Sequence, residues 1–266
     1  MRKAKKQGLV ARNVADDLDD TPQSDRRERT DAQIHCWSAA GSAQVPRGGE
    51  AAGPRQAAFY ALALDSGARK GELCGVAWTA FDLDAGTMAI TRQLLKAGPD
   101  PVFGPPKNRR SRTIRLAPDT VTLLLALRKH QRELMMANRA RYVDIGLAFT
   151  KEPADLQQLR NHKVARLGDP LQANNIGQRE YAQLVKAADV RPIKFHGLRH
   201  TCATLLLQAR EPVHVVSERL GHKKVSVTLE VYAHALPDMQ AQAASTMNAI
   251  LHGPLSAVSN PLAKSG

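Results

Sequence analysis

Residues 195–234 read FHGLRHTCATLLLQAREPVHVVSERLGHKKVSVTLEVYAH. The stretch holds a His-x-x-Arg pair (His196, Arg199), a Leu-Gly-His from Leu220 to His222, and Tyr232 ten residues beyond it. His196 and Arg199 stand three apart at the start of an apolar-periodic segment (Leu198, Ala203, Leu205, Leu206), so they share one helix face. Gly221 stops the next helix, expected over Glu211 to Leu220, and leaves His222 just past its end. Ser226 or Thr228 is expected to cap a last short helix carrying Tyr232. Two histidines, an arginine and a tyrosine in a strongly basic chain point to chemistry on a phosphate.

Working outward, composition narrows the partners. The chain has 266 residues, 43% of them hydrophobic, enough for a real core. Its formal charge is +13 and its pI about 10.0, which points to a polyanion. The longest apolar run, around Val121 to Leu127, is far too short to span a bilayer, and no apolar signal core follows the basic N-terminus. Cys36, Cys74 and Cys202 are odd in number and widely spaced, which argues against disulfides and a zinc cluster. The expectation is a reduced, cytoplasmic protein with no membrane partner.

The rest of the chain reads as helices around a few strands. Met1 to Asn13 looks like a helix end, and the charge-dense Val14 to Thr30 like a linker. Ala39 to Gly53 is Gly/Ala-rich without an apolar period; it reads as a variable loop or as a disturbance of the reading frame. Ala57 to Leu64 and Glu72 to Trp78 read as helices separated by Gly67. Phe81 to Leu95 reads as strand, turn, strand about Asp84-Ala85-Gly86. Pro105 to Leu116 is a basic loop (Lys107, Arg109, Arg110, Arg112, Arg115) entering a third strand at Thr113. Asp119 caps a long helix reaching Tyr142, apolar at Val121, Leu124, Leu125 and Leu134. After a weakly patterned Lys151 to Pro170, helices are expected at Asn174 to Ala188 and Asp238 to Leu251. The fold class is therefore mainly α with a small antiparallel β-sheet (α+β).

The His-x-x-Arg-His, Leu-Gly-His and tyrosine, in this order and spacing, resemble the catalytic core of the tyrosine recombinases, the phage-integrase family. Ser66 to Leu73 resembles the family's box I, with Arg69 in the place of its first catalytic arginine and Glu72 in support. The Pro-Lys before Ser-Arg-Thr-Ile picks out Lys107 as the hairpin lysine. The resemblance implies a catalytic set of Arg69, Lys107, His196, Arg199, His222 and the nucleophile Tyr232, with Arg109, Arg110 and Arg112 binding DNA. It implies His196 as the base and gives His200 no assigned part. Tyr60, Tyr142 and Tyr181 are read as packing residues, and His35, His130, His162, His214, His234 and His252 as surface or packing residues.

What the resemblance implies for activity is site-specific recombination of a mobile element by metal-free transesterification through a 3′-phosphotyrosyl DNA intermediate, with no cofactor or nucleotide. Double-stranded DNA is the expected partner and a homo-tetramer on DNA the expected assembly. The domains would be a remnant helix end and partly disordered linker (1–53), the catalytic domain (54–252) and a flexible tail (253–266), with most of an N-terminal core-binding domain missing. Two alternatives stay open: a truncated, inactive DNA-binding relative, and strand relaxation of the type IB topoisomerase kind.

Overall fold

The protein is seen in a computed structural model, which describes residues 36–157, 165–173, 176, 179–233 and 240–253. The helices are α1 (Ala39–Ala52), α2 (Pro54–Ser66), α3 (Lys70–Gly75), α4 (Pro118–Ala137), α5 (Pro153–Gln157), α6 (Arg179–Ala187), α7 (His196–Gln208), α8 (Val213–Leu220), α9 (Val225–Tyr232) and α10 (Gln240–His252). The strands are β1 (Phe81–Asp82), β2 (Thr87–Ile90), β3 (Gln93–Lys96), β4 (Val102–Gly104) and β5 (Arg112–Arg115). This is the expected helix-rich architecture with small antiparallel sheets.

Helix α2 lies at the centre. Pro54 opens it, where a missing N–H costs nothing, and Gly67 closes it in the left-handed conformation (φ 59°). Every residue from Ala57 to Ala63 is buried, and the helix packs against α1, α4 and α7. An aromatic cluster fills the space beside it: Phe59 meets Phe149 edge-on at 5.0 Å, and Tyr60, Tyr181 and Phe195 close round it. Arg55, buried at the helix start, ties this layer to its neighbours through Asp155, Glu180 and the Thr150 carbonyl. A smaller core (Ala203, Leu207, Val216, Leu220, Tyr232) joins α7, α8 and α9.

In the three-stranded sheet, β2 lies between β1 and β5. Met88 pairs with Ile114 in the β2–β5 register, and the two side chains are buried with Ile90 against the main core. Strands β3 and β4 pair separately. The segment expected as two strands is thus three short ones, and the basic loop runs from β4 to β5.

Several expectations are corrected. Ala39–Ala52 forms helix α1 rather than a loop, and Trp37 and Val45 are buried in the main core. The indole N–H of Trp37 donates to the Arg191 carbonyl at 2.6 Å, and its backbone N–H to the Thr201 hydroxyl at 3.1 Å. The folded body thus includes residues ahead of 54; residues 1–35 and 254–266 lie outside the described residues. Helix α4 starts at Pro118, its preceding residue Ala117 donating its backbone N–H to Asp65 at 2.7 Å, and Asp119 makes no cap. Leu125 points outward while Leu124 and Leu127 are buried. Helix α3 stops at Gly75, and α8 begins only after Pro212. Neither Ser226 nor Thr228 caps α9, which starts behind Lys224 without a side-chain bond. No helix among the described residues is long and apolar enough to cross a membrane.

Candidate active site

Two left-handed glycines bring the pieces together. Gly67 (φ 59°) turns the end of α2 so tightly against α8 that an added Cβ would lie 2.7 Å from Leu220. Arg69 follows at once, at the start of α3. Gly221 (φ 68°) ends α8 against the Arg112 guanidinium, 2.7 Å from the position of an added Cβ. That turn sets His222 beside α9, and the side chain of Asn108 in the basic loop donates to the Gly221 carbonyl at 2.8 Å.

Glu72 anchors the arginines. Its carboxylate accepts the Arg69 backbone N–H (2.9 Å), the reciprocal half of a helix cap, and the Arg69 guanidinium (3.1 Å). It also takes both terminal nitrogens of Arg112 at 3.2 and 2.8 Å. Burial opposes its charge, but Arg112 and Arg69 together hold the carboxyl below its ordinary value. Arg112, expected among the DNA-facing arginines, therefore points inward. Its Nε donates to the Arg219 carbonyl at 2.8 Å, and it is 8% exposed. The physical reason is strand alternation: Arg112 and Ile114 face in, Thr113 and Arg115 face out. Arg109 and Arg110 remain exposed, as does Lys107.

Helix α7 supplies the next group. Arg199 is buried, one terminal nitrogen donating to the Gly67 carbonyl at 2.7 Å, the other buried without a partner among the described residues. Burial, reinforced by the Arg69 charge, pulls its guanidinium down to about 10. His196 is kept below its ordinary value by burial and then by Arg199, Arg69, Lys70 and Lys107. His222 is pushed down to about 4 by burial and by Arg199, Arg69 and Arg112. Both shifts favour the neutral imidazole. Arg69, Lys107, Arg199, His196 and His222 thus occupy one positive electrostatic neighbourhood.

Tyr232 closes the group from α9. It is 1% exposed, seated in the small α7–α8–α9 core, and burial pushes its hydroxyl up while Arg199 opposes. Its hydroxyl lies 2.8 Å from His200 Nδ1. His196, the expected base, instead meets the His200 ring edge-on at 4.8 Å. Thr228, expected as a cap, sits 2.8 Å from His222 Nδ1 and orients that ring. His200 is thus the residue the sequence reading left unassigned. Its signal was available, since it stands one helical turn after His196.

The comparisons fall where this geometry points. Residues 44–239 match the family described as the phage integrase family. The chain belongs to it. Among phage integrase relatives, a XerC-like tyrosine recombinase from Caldanaerobacter subterraneus subsp. tengcongensis is 30% identical over 212 residues, 74% of this chain and 50% of that protein. The ICEBs1 integrase of Bacillus subtilis is 25% identical over 194 residues, 73% of this chain and 48% of that protein. This phage integrase family member therefore spans about half the length of the curated relatives it matches. In fold it resembles the Tn1549 transposon integrase in complex with transposon right end DNA, with TM-score 0.60 at 21% identity over 93% of this chain and 75% of that one.

Proposed function

We propose that this chain carries the catalytic part of a site-specific DNA recombinase that breaks and rejoins strands through Tyr232. One observation carries the reading most: Arg199 is buried, spends one nitrogen on the Gly67 carbonyl and has no partner for the other among the described residues. A buried, unpaired guanidinium nitrogen is costly, and an anionic oxygen is the partner that relieves it.

Arg69 and Arg199 would hold the two non-bridging oxygens of one phosphodiester. Neutral His222, oriented by Thr228, would donate a further hydrogen bond. Charge builds on those oxygens as the incoming oxygen approaches, and fixed donors of this kind lower the barrier. The Tyr232 oxygen bonds to phosphorus as the bond to the 5′-oxygen breaks, and Lys107 protonates the departing oxygen. A second 5′-hydroxyl reverses the step, so bond energy is kept and no nucleotide is consumed. Arg109 and Arg110, exposed on the basic loop, would contact backbone phosphates. Duplex DNA is the partner, with integration or excision of a mobile element the task, and four protomers on two duplexes the working assembly.

The test is covalent capture on duplexes nicked near the cleavage position and drawn from the flanks of the gene's own element. Loss of the 5′ fragment traps the phosphotyrosine. A protein–DNA band that disappears in Tyr232→Phe supports the reading; no band from the wild-type protein on any of these duplexes would sink it.

A further inference from the structure

We propose that His200, rather than His196, is the immediate acceptor of the Tyr232 proton during strand cleavage. The inference rests on the recombinase reading above and assigns a residue that the family resemblance left without a part. Its ground is geometric. His200 Nδ1 and the Tyr232 hydroxyl lie 2.8 Å apart, within direct proton-transfer reach. Among the described residues, the Tyr232 hydroxyl has no other hydrogen bond, and His196 contacts the His200 ring rather than the tyrosine.

The two partners are also held firmly. His200 is on α7, whose Ala203 and Leu207 form one wall of the pocket that encloses Tyr232, while Val216 and Leu220 from α8 form another. Cys202 and Arg199, on the same helix, are fixed to the Asp65 and Gly67 carbonyls. The rings of His200 and Tyr232 lie 5.6 Å apart between centroids. A tyrosine hydroxyl with an ordinary pKa of about 10 is a poor nucleophile until a base takes its proton. Burial makes an unassisted phenolate harder still to form.

The step balances as follows. The Tyr232 oxygen–phosphorus bond forms and the phosphorus–5′-oxygen bond breaks. The Tyr232 proton passes to His200 Nδ1, the Nε2 proton staying in place, while Lys107 gives its proton to the 5′-oxygen. Rejoining runs the same transfers backwards and returns both residues to their starting states.

The experiment measures the rate of covalent complex formation by the full chain on two nicked duplexes. One carries the ordinary 5′-oxygen at the scissile position, the other a bridging sulfur, which leaves without needing a proton. His200→Leu is expected to slow both substrates by a hundredfold or more, with DNA affinity and thermal unfolding near wild type. Lys107→Ala, by contrast, should be slow on oxygen and restored on sulfur. His200→Asn places an amide oxygen near Nδ1 and keeps the hydroxyl aligned without a base, so it should remain at least tenfold slow; it also serves if the leucine variant does not fold. Wild-type speed in either His200 variant would overturn the assignment while leaving the recombinase reading intact. A wild-type protein that forms no covalent complex with either substrate overturns both.

Discussion

Glu72 and Arg112 stand 40 residues apart in sequence and meet as a two-pronged pair, 2.8 and 3.2 Å, with only 1% and 4% of their side chains exposed. The pair joins the start of α3 to β5, and through it the Arg69 turn to the sheet. Removing Arg112 leaves the buried Glu72 carboxylate with the Arg69 guanidinium as its remaining charged partner, and breaking a buried pair of this kind costs up to about 3–5 kcal/mol. Arg112→Ala should therefore lower the unfolding midpoint by roughly 6–20 °C in calorimetry. Arg109→Ala should leave the midpoint unchanged and weaken DNA binding in a salt-dependent way.

The same carboxylate sets an acid limit. Its folded pKa lies below its ordinary value of 4.5, so the stabilisation is complete above that value and is lost as pH falls through the folded one. Denaturant unfolding between pH 7 and pH 3 should show stability falling on the acid side. Glu72→Gln should flatten that fall without abolishing it, because Asp155 is also held low, burial being outweighed there by Arg55. An unchanged slope in the variant would show that Glu72 does not titrate in this window.

Arg199→Lys separates binding from cleavage. Lysine can still reach the Gly67 carbonyl but cannot present the second nitrogen. Covalent capture should slow by about 100- to 1000-fold, the loss typical of one missing oxyanion donor. Retention of the same DNA should change little by gel shift.

Thr228→Val keeps the side-chain shape and removes the hydroxyl 2.8 Å from His222 Nδ1. Losing a hydrogen bond worth about 1 kcal/mol leaves that ring free to turn. Covalent capture should fall several-fold, and Thr228→Ser should recover most of it.

Gly221→Ala tests the turn itself. An alanine at φ 68° is strained, and its methyl group would fall 2.7 Å from the Arg112 guanidinium. A midpoint loss of several degrees and slowed capture are expected together, because the displaced arginine carries Glu72 with it.

Much of this was legible because the chemistry sits in short, ordered motifs. His196 and Arg199, three apart, lie on one turn of α7, and Gly221 ends α8 in the left-handed conformation where a glycine was expected. The places where reading failed share a cause: the deciding contact is distant in sequence. Nothing in a run of five basic residues says that Arg112 faces a carboxylate forty positions earlier. Helix α1 has no apolar period to announce it; burial of Trp37 and Val45 against the main core is a tertiary fact. The bond between His200 and Tyr232 depends on α9 folding back over α7, which spacing along one helix does not reveal.

With 1% of Tyr232 exposed, bulk water has as little access to that side chain as it would to a core leucine. On the function proposed above, a phosphate ester formed there would be screened from hydrolysis, and the partner able to resolve it would be a strand end delivered by the DNA itself. The same enclosure that makes the tyrosine hard to ionise would then decide the fate of the cut: a broken strand is resealed rather than released.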